Sequence, residues 1–95
     1  SYGSYVGTGE YGADHPNTLT FGFRPLLVFL GDPVYDQYST VVCMRGRDNQ
    51  PGPRGRIATI WGNNSLSWYH GSSAQEQANT SGVTYPYVAI GDNDA

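Results

Sequence analysis

The longest apolar stretch of the chain spans residues 18–30, which read TLTFGFRPLLVFL. Its first half, residues 19–23, alternates apolar and polar positions, which is the period of a half-buried β-strand. Pro25 offers no backbone donor and therefore predicts a bend between two strands. Residues 26–30 are apolar at every position, so we expect a central strand that is buried on both faces.

A hairpin is predicted at residues 56–70, where RIATIW and LSWYH flank the turn Gly-Asn-Asn-Ser. Asparagine tolerates the left-handed backbone that a tight hairpin turn requires. A connection of two or four residues places Trp61 opposite Leu66 and Thr59 opposite Trp68, so that both tryptophans face the core. A three-residue loop would instead turn one tryptophan outward.

The other segments before the hairpin predict short strands joined by turns. Residues 1–12 are expected to form an edge strand that pairs with residues 19–23 as a hairpin. Residues 40–45 predict a further strand. Residues 46–55, which read GRDNQPGPRG, predict a long loop because of their Gly, Pro, Asp and Asn content.

After the hairpin, the chain predicts one helical turn and a final strand. Ser73 and Glu76 have capping-box spacing, which allows a helix of one or two turns. Residues 83–91 predict the last strand, in which Pro86 indicates an edge or a bulge. The sequence thus predicts about seven short strands and at most one short helical turn. The expected fold is all-β, a single antiparallel β-sandwich over residues 1–95.

Composition and charge narrow the range of partners. The 95 residues carry a net charge of −3, and all five cations are arginines. With no basic patch and no membrane-length apolar run, we expect neither nucleic-acid binding nor membrane insertion. The single cysteine excludes a disulfide within the chain. Eight tyrosines, set among Ser, Gly and Asn, suit a polar recognition surface because they combine contact area with adaptable hydrogen bonds.

A family resemblance is carried by three segments, in this order: YVGTGEYGADHPNTLTFGFRPLLVFL, NNSLSWYHGSSAQEQANTSG and VTYPYVAIG. They resemble a small C-terminal β-sandwich domain, of receptor-binding type, in tail fibre and tail proteins of phages and prophages of Firmicutes. In that family a YTGTGTYG-like opening precedes a SLTFxFxPKxVxI-like core and a xLxWYS-like strand. A short QLN-containing segment and a TYYYIAIG-like final strand follow. The matching positions are 5–12, 18–30, 65–69, Gln77 with Asn79, and 84–91.

The resemblance implies a host-recognition domain that binds a bacterial cell-surface glycan without catalysis. Residues 1–95 would then be a fragment of a longer fibre protein that forms a homotrimer. The protein would be located in the virion, at the phage tail tip, or elsewhere outside the cell. Two alternatives stay open. One is a structural cap or trimerisation module of the fibre, and the other is a carbohydrate-binding module of a secreted bacterial protein.

The first candidate ligand contacts lie in the loop after the central strand. Asp32, Tyr35, Asp36 and Tyr38 would form a sugar-binding rim, in which carboxylates accept hydrogen bonds from hydroxyls and rings stack on pyranose faces. The alternative for this loop is an ordinary polar turn, since Asp, Gly and Pro are common turn residues whatever the ligand.

The second candidate contacts lie in the long loop, at Arg47, Asp48, Asn49 and Arg54. Guanidinium groups match anionic glycans and phosphates in bidentate geometry. The alternative is a solvated loop that Arg–Asp pairing stiffens. Tyr69 is expected to point away from the tryptophan face, which makes it a candidate contact for a ligand or a subunit.

Catalytic chemistry is not indicated by any local motif. The sequence contains no nucleophile elbow, no phosphate loop and no His/Cys cluster with metal-ligand spacing. Asp32, Asp36, Glu10 and Glu76 are nominally available as a carboxylate pair for glycoside hydrolysis, but none lies in a catalytic motif. We therefore expect no enzyme activity, no cofactor and no metal.

Overall fold

The computed structural model describes residues 1–34, 39–51 and 56–92. The described residues form eight strands and no helix: β1 (Tyr2–Val6), β2 (Asn17–Thr20), β3 (Arg24–Asp32), β4 (Ser39–Met44), β5 (Asn49–Pro51), β6 (Arg56–Trp61), β7 (Ser65–Tyr69) and β8 (Thr84–Asp92). A helix long and apolar enough to cross a membrane is likewise not found in these ranges.

The strands form two antiparallel sheets of four strands each, which confirms the predicted β-sandwich. The first sheet has the order β1-β8-β3-β4, and the second has the order β2-β7-β6-β5. The predicted long loop is partly strand, because β5 pairs with β6 from Asn49 opposite Ala58 to Pro51 opposite Arg56.

The apolar run at residues 18–30 contributes one strand to each sheet. β2 belongs to the second sheet and β3 to the first, so the chain crosses between the sheets at residues 21–23. Pro25 itself lies in β3, where the pairing with β8 shifts register between Pro25 and Leu27. β3 is central, as predicted, but only one of its faces is fully buried: Val28 and Leu30 are 0% exposed, whereas Phe29 is half-buried.

The predicted hairpin at residues 56–70 is confirmed in pairing and register. Thr59 lies opposite Trp68, and Trp61 lies opposite Leu66. Trp68 and Leu66 are 0% exposed, and Trp61 packs against the core from a partly buried position. Both tryptophans therefore face inward, as expected when residues opposite each other on paired strands share one face of the sheet.

The predicted hairpin between the first strand and residues 19–23 is wrong. β1 pairs with β8, and β2 pairs with β7. The two strands lie in different sheets because residues 7–16 cross the end of the sandwich instead of turning back in one sheet. Gly7 fixes this crossing at its start, since its amide donates to Val83 O and its carbonyl accepts from Gly82 N.

The predicted helical turn is present as one isolated turn. Ser73 Oγ accepts a hydrogen bond from Glu76 N at 3.1 Å, which is the cap that the sequence pattern predicts. Gln77 N donates to Ser73 O at 3.1 Å. Ala78 then takes a positive φ of 57°, which ends the turn before a helix can develop.

The two sheets enclose one hydrophobic core and are tied together at one end by Arg45. The buried apolar residues of this core are Phe21, Val28, Leu30, Val41, Cys43, Ile57, Leu66, Trp68 and Ala89. Arg45 donates from Nε to Pro25 O at 2.8 Å and from Nη2 to Gly62 O at 2.6 Å. Its guanidinium carbon lies 5.1 Å from the centre of the Trp61 ring. Arg45 is thus a structural residue that joins the first sheet to the second.

Candidate ligand-binding pocket

A cavity of about 430 Å³ opens where residues 7–16 cross from the first sheet to the second. Its lining residues come from β1, the crossing loop, β2 and β7, with one further residue from the turn before β8: Tyr5, Val6, Thr8, Glu10, Asp14, His15, Pro16, Asn17, Thr18, Leu19, Trp68 and Asn79. This volume falls in the range of small-ligand sites, about 300–1,000 Å³.

Aromatic rings form the base of the cavity. The Tyr5 ring stacks on Tyr85 with centroids 5.1 Å apart and meets Trp68 edge-on at 5.5 Å. Tyr5 Oη donates a hydrogen bond to Ala78 O at 2.9 Å, and Trp68 Nε1 donates to Gln77 O at 2.8 Å. The polar ends of both rings are therefore already satisfied within the protein. Trp68 is fully buried, so of these rings only the half-buried Tyr5 is accessible from the cavity.

Gln77 anchors the crossing loop from inside the protein, without lining the cavity itself. The side chain is 0% exposed. Its Oε1 accepts from Gly12 N at 3.1 Å and from His70 N at 2.9 Å. Its Nε2 donates to His15 O at 3.0 Å and to Asn17 Oδ1 at 2.8 Å. All four hydrogen bonds of the amide are made, and they join the crossing loop to the end of β7.

Asn79, which lines the cavity, anchors the same loop. It is 2% exposed, and its Oδ1 accepts from Thr8 N and from Asn17 Nδ2, both at 3.0 Å. Its Nδ2 donates to Thr8 Oγ1 at 2.8 Å and to Glu10 O at 2.9 Å. Two fully satisfied buried amides thus fix the backbone of the crossing loop, which presents the cavity in a preformed shape.

Three ionisable side chains on the crossing loop remain exposed at the cavity: Glu10, Asp14 and His15. Glu10 Oε2 lies 3.2 Å from His15 Nδ1, with the two side chains 59% and 53% exposed. Among the described residues that line the cavity, none is lysine or arginine. The site therefore offers hydrogen-bond acceptors to the hydroxyl groups of a ligand, and its carboxylates disfavour an anionic one.

The buried phenol of Tyr5 is unsuited to proton transfer. Burial raises its pKa far above the usual range, and the neighbouring Tyr85, Asp32 and Cys43 raise it further. Tyr5 therefore stays neutral at physiological pH and acts as a packing and hydrogen-bonding residue. No group of three or more His, Cys, Asp or Glu side chains with metal-binding geometry occurs in the described part of the chain.

Of the first predicted contacts, the structure places Asp32 inside the protein. Asp32 is 1% exposed and faces the interior, and its Oδ1 accepts a hydrogen bond from Val34 N at 3.1 Å. The expectation of a rim position is therefore corrected, because a side chain covered by the sandwich cannot meet a sugar. Tyr35, Asp36 and Tyr38 lie outside the described residues.

Of the second predicted contacts, Arg47, Asp48 and Asn49 are exposed. Their loop is anchored through the backbone: Arg47 O accepts from Gln50 Nε2 at 2.7 Å, and Asp48 O accepts from Thr59 N at 2.8 Å. The side chains are thus accessible, and their role in binding stays a prediction. Arg54 lies outside the described residues.

Those predicted contacts that the structure describes are not brought together into one site. Asp32 ends β3 beside the start of β4, whereas Arg47 follows the end of β4, so a six-residue strand of about 20 Å separates them. Tyr69 is half-buried opposite Ala58, on the outer face of the second sheet as predicted. None of these residues lines the cavity.

Asp14 and His15 were missed because they lie between two predicted strands, and Glu10 was considered only as a nominal hydrolytic carboxylate. The sequence did contain a signal for these pocket residues, namely several ionisable side chains close together directly before the alternating residues 19–23. The amides that shape the site, Gln77 and Asn79, act across more than 60 residues of chain. Such long-range pairing cannot be deduced from local spacing.

The fold and the cavity define a small antiparallel β-sandwich with a polar pocket at the end of the sandwich. No protein-family model matches the chain, and no significant match was found among curated proteins or solved structures. The resemblance to phage tail proteins accordingly stays a prediction from the sequence motifs.

Proposed function

We propose that this domain is a non-catalytic carbohydrate-binding domain that recognises a bacterial cell-surface glycan as part of a phage tail fibre. The observation that carries the proposal is the pocket: two exposed carboxylates and an imidazole line it, and its described lining residues include no lysine or arginine. Carboxylates accept hydrogen bonds from sugar hydroxyls.

The chemistry of the pocket favours a neutral saccharide over an anionic one. Glu10 and Asp14 carry negative charge, and the amides of Asn17 and Asn79 are engaged with each other. A phosphate or uronate at this position would lie against two carboxylates without a guanidinium to balance them. We therefore propose that the ligand is a neutral part of a cell-surface polysaccharide. The resemblance of the sequence motifs to phage tail proteins supports the further proposal that the fibre is a homotrimer located at the tail tip.

The test is titration of the chain with neutral and anionic cell-wall saccharide fractions from bacteria, followed by calorimetry. Asp14→Asn and Glu10→Gln keep the side-chain shape but remove the charge. Because a hydrogen bond to a charged group contributes about 1.5–3 kcal/mol, each change should weaken binding roughly tenfold or more. Asp48→Asn is the comparison variant, since Asp48 is an exposed aspartate outside the pocket and belongs to the second predicted contacts. Binding at the pocket leaves its affinity unchanged.

Two results would contradict the proposal. One is the absence of binding to every saccharide fraction, together with the absence of binding of the full fibre to bacterial cells. The other is a preference for anionic saccharides that Arg47→Ala abolishes and Asp14→Asn leaves intact, which would move the site to the loop after β4.

A further inference from the structure

The crossing loop exposes one tyrosine, Tyr11, at the margin of the pocket. The Tyr11 side chain is 47% exposed, and Tyr11 does not itself line the cavity. It follows Glu10 directly in the chain, and Glu10 and Asp14 both line the cavity. Consecutive Cα atoms are only about 3.8 Å apart, so the Tyr11 ring is attached to the backbone at the rim of the pocket.

The backbone on both sides of Tyr11 is fixed by the two buried amides. The carbonyl oxygen of Glu10 accepts a hydrogen bond from Asn79 Nδ2 at 2.9 Å. The amide of Gly12 donates to Gln77 Oε1 at 3.1 Å. Gly12 also takes a positive φ of 99°, a conformation that glycine adopts without strain. Tyr11 is thus presented on an ordered backbone, so a ligand that contacts its ring has only the side chain to immobilise.

Tyr11 differs from the buried tyrosines in what its side chain contacts. Tyr5 Oη donates to Ala78 O at 2.9 Å, Tyr85 Oη accepts from Thr80 N at 2.9 Å, and the two rings stack on each other. Within the described part of the chain, the Tyr11 side chain takes part in no hydrogen bond, ion pair or ring contact. Its phenol and the exposed part of its ring are therefore available to a ligand.

A tyrosine in this position suits a sugar ring. The phenyl ring offers an apolar face to the C–H groups of a pyranose, and the phenol donates and accepts hydrogen bonds, as sugar hydroxyls do. Tyrosine supplies this contact area at low entropic cost, because its side chain has only two rotatable bonds. The pocket itself offers little aromatic surface, since Trp68 is 0% exposed and Tyr5 is half-buried. Tyr11 supplies the exposed ring that the pocket lacks.

We infer that Tyr11 forms a second sugar subsite and stacks on the sugar ring next to the one held in the pocket. The inference rests on the proposed carbohydrate function and narrows the ligand to a saccharide of at least two neutral units. Glu10 and Asp14 hold one unit in the pocket. The saccharide chain then continues over the crossing loop, where the next unit meets Tyr11.

The test is calorimetric titration of the chain with neutral cell-wall saccharides from bacteria, separated by size into single sugars and chains of two to four units. Tyr11→Ala removes the ring, and Tyr11→Phe keeps the ring but removes the phenol. Tyr2→Ala is the matched control, because Tyr2 is an exposed tyrosine, at 86%, that lies on β1 outside the pocket. Circular dichroism confirms that each variant is folded.

We expect Tyr11→Ala to weaken the binding of saccharide chains about two- to tenfold, which corresponds to the loss of one ring-stacking contact. The binding of single sugars should not change. Tyr11→Phe should keep most of the affinity for chains, and Tyr2→Ala should keep all of it. A second readout uses the wild-type protein alone: bound saccharide chains should protect Tyr11, but not Tyr2, from nitration.

The possible failures separate this inference from the carbohydrate proposal. If Asp14→Asn weakens the binding of chains while Tyr11→Ala does not, and Tyr11 is nitrated freely in the complex, the pocket stands and the second subsite is refuted. Equal weakening of single sugars and chains by Tyr11→Ala would also refute it, since Tyr11 would then contact the unit in the pocket. Absence of wild-type binding to every fraction would overturn both proposals together.

Discussion

Replacing Gln77 by methionine tests whether the buried amide holds the pocket together. Methionine has a similar length and is tolerated in cores, so Gln77→Met removes the hydrogen bonds without leaving a large cavity. The substitution removes two donors and two acceptors at once. It leaves Gly12 N, His70 N and His15 O without their partner in the wild-type protein.

The expected loss follows from the number of hydrogen bonds and the exposure of their partners. Four hydrogen bonds at about 1 kcal/mol each give roughly 4 kcal/mol. Gly12 and His70 are only half-buried and His15 is exposed, so water can replace part of what is lost. We therefore expect the free energy of unfolding to fall by about 2–4 kcal/mol, a large part of the 5–15 kcal/mol typical of a domain.

Urea unfolding followed by tryptophan fluorescence measures this loss, because the indole of Trp68 is hydrogen-bonded to the Gln77 backbone. Gln75→Met is the matched control: Gln75 lies in the same turn, but its side chain is exposed, and its replacement should change stability by less than about 0.5 kcal/mol. Equal stability of the two variants would show that the Gln77 amide contributes nothing net, and the account of a pocket fixed by buried amides would be wrong.

Two further predictions concern pH and backbone packing. Burial raises the pKa of the Cys43 thiol from 9.0 to about 12, so the folded state retains a proton that the unfolded state releases. This contribution to stability is complete below pH 9 and is lost as the pH rises towards 12, at up to about 1.4 kcal/mol per pH unit. Cys43→Ala should therefore flatten the dependence of the unfolding free energy on pH, as measured by urea unfolding. Gly91→Ala should lower the melting temperature strongly, because the added Cβ would collide with Arg24 O. Gly22→Ala should leave the melting temperature nearly unchanged, because there is open space around Gly22. Equal melting temperatures for the two alanine variants would contradict this packing.

The fold could be predicted from the sequence wherever local pattern decides the structure. Alternation and turn residues placed the hairpin at residues 56–70 in the correct register, because opposed residues must share a face. Pairing between distant strands was harder to predict. β1 pairs with β8 across some 80 residues, and no local signal distinguishes this partner from the nearer β2.

The candidate site was largely beyond sequence reasoning for a related reason. Polar turn residues such as Asp32 suggested binding, but the direction of the strand turned this side chain inward. The pocket itself depends on a loop crossing between sheets, and on Gln77 and Asn79 reaching back to that loop. The family resemblance matched these two positions without indicating what they do.

The number of polar groups that the pocket leaves free sets the strength of the proposed saccharide contact, and the Asn79 amide at its wall is fully engaged within the protein. A pocket with few free polar groups is expected to bind a single saccharide weakly. Several such pockets held in one assembly would bind a repeating cell-surface polysaccharide far more tightly, by a factor on the order of 100 or more, without any new contact.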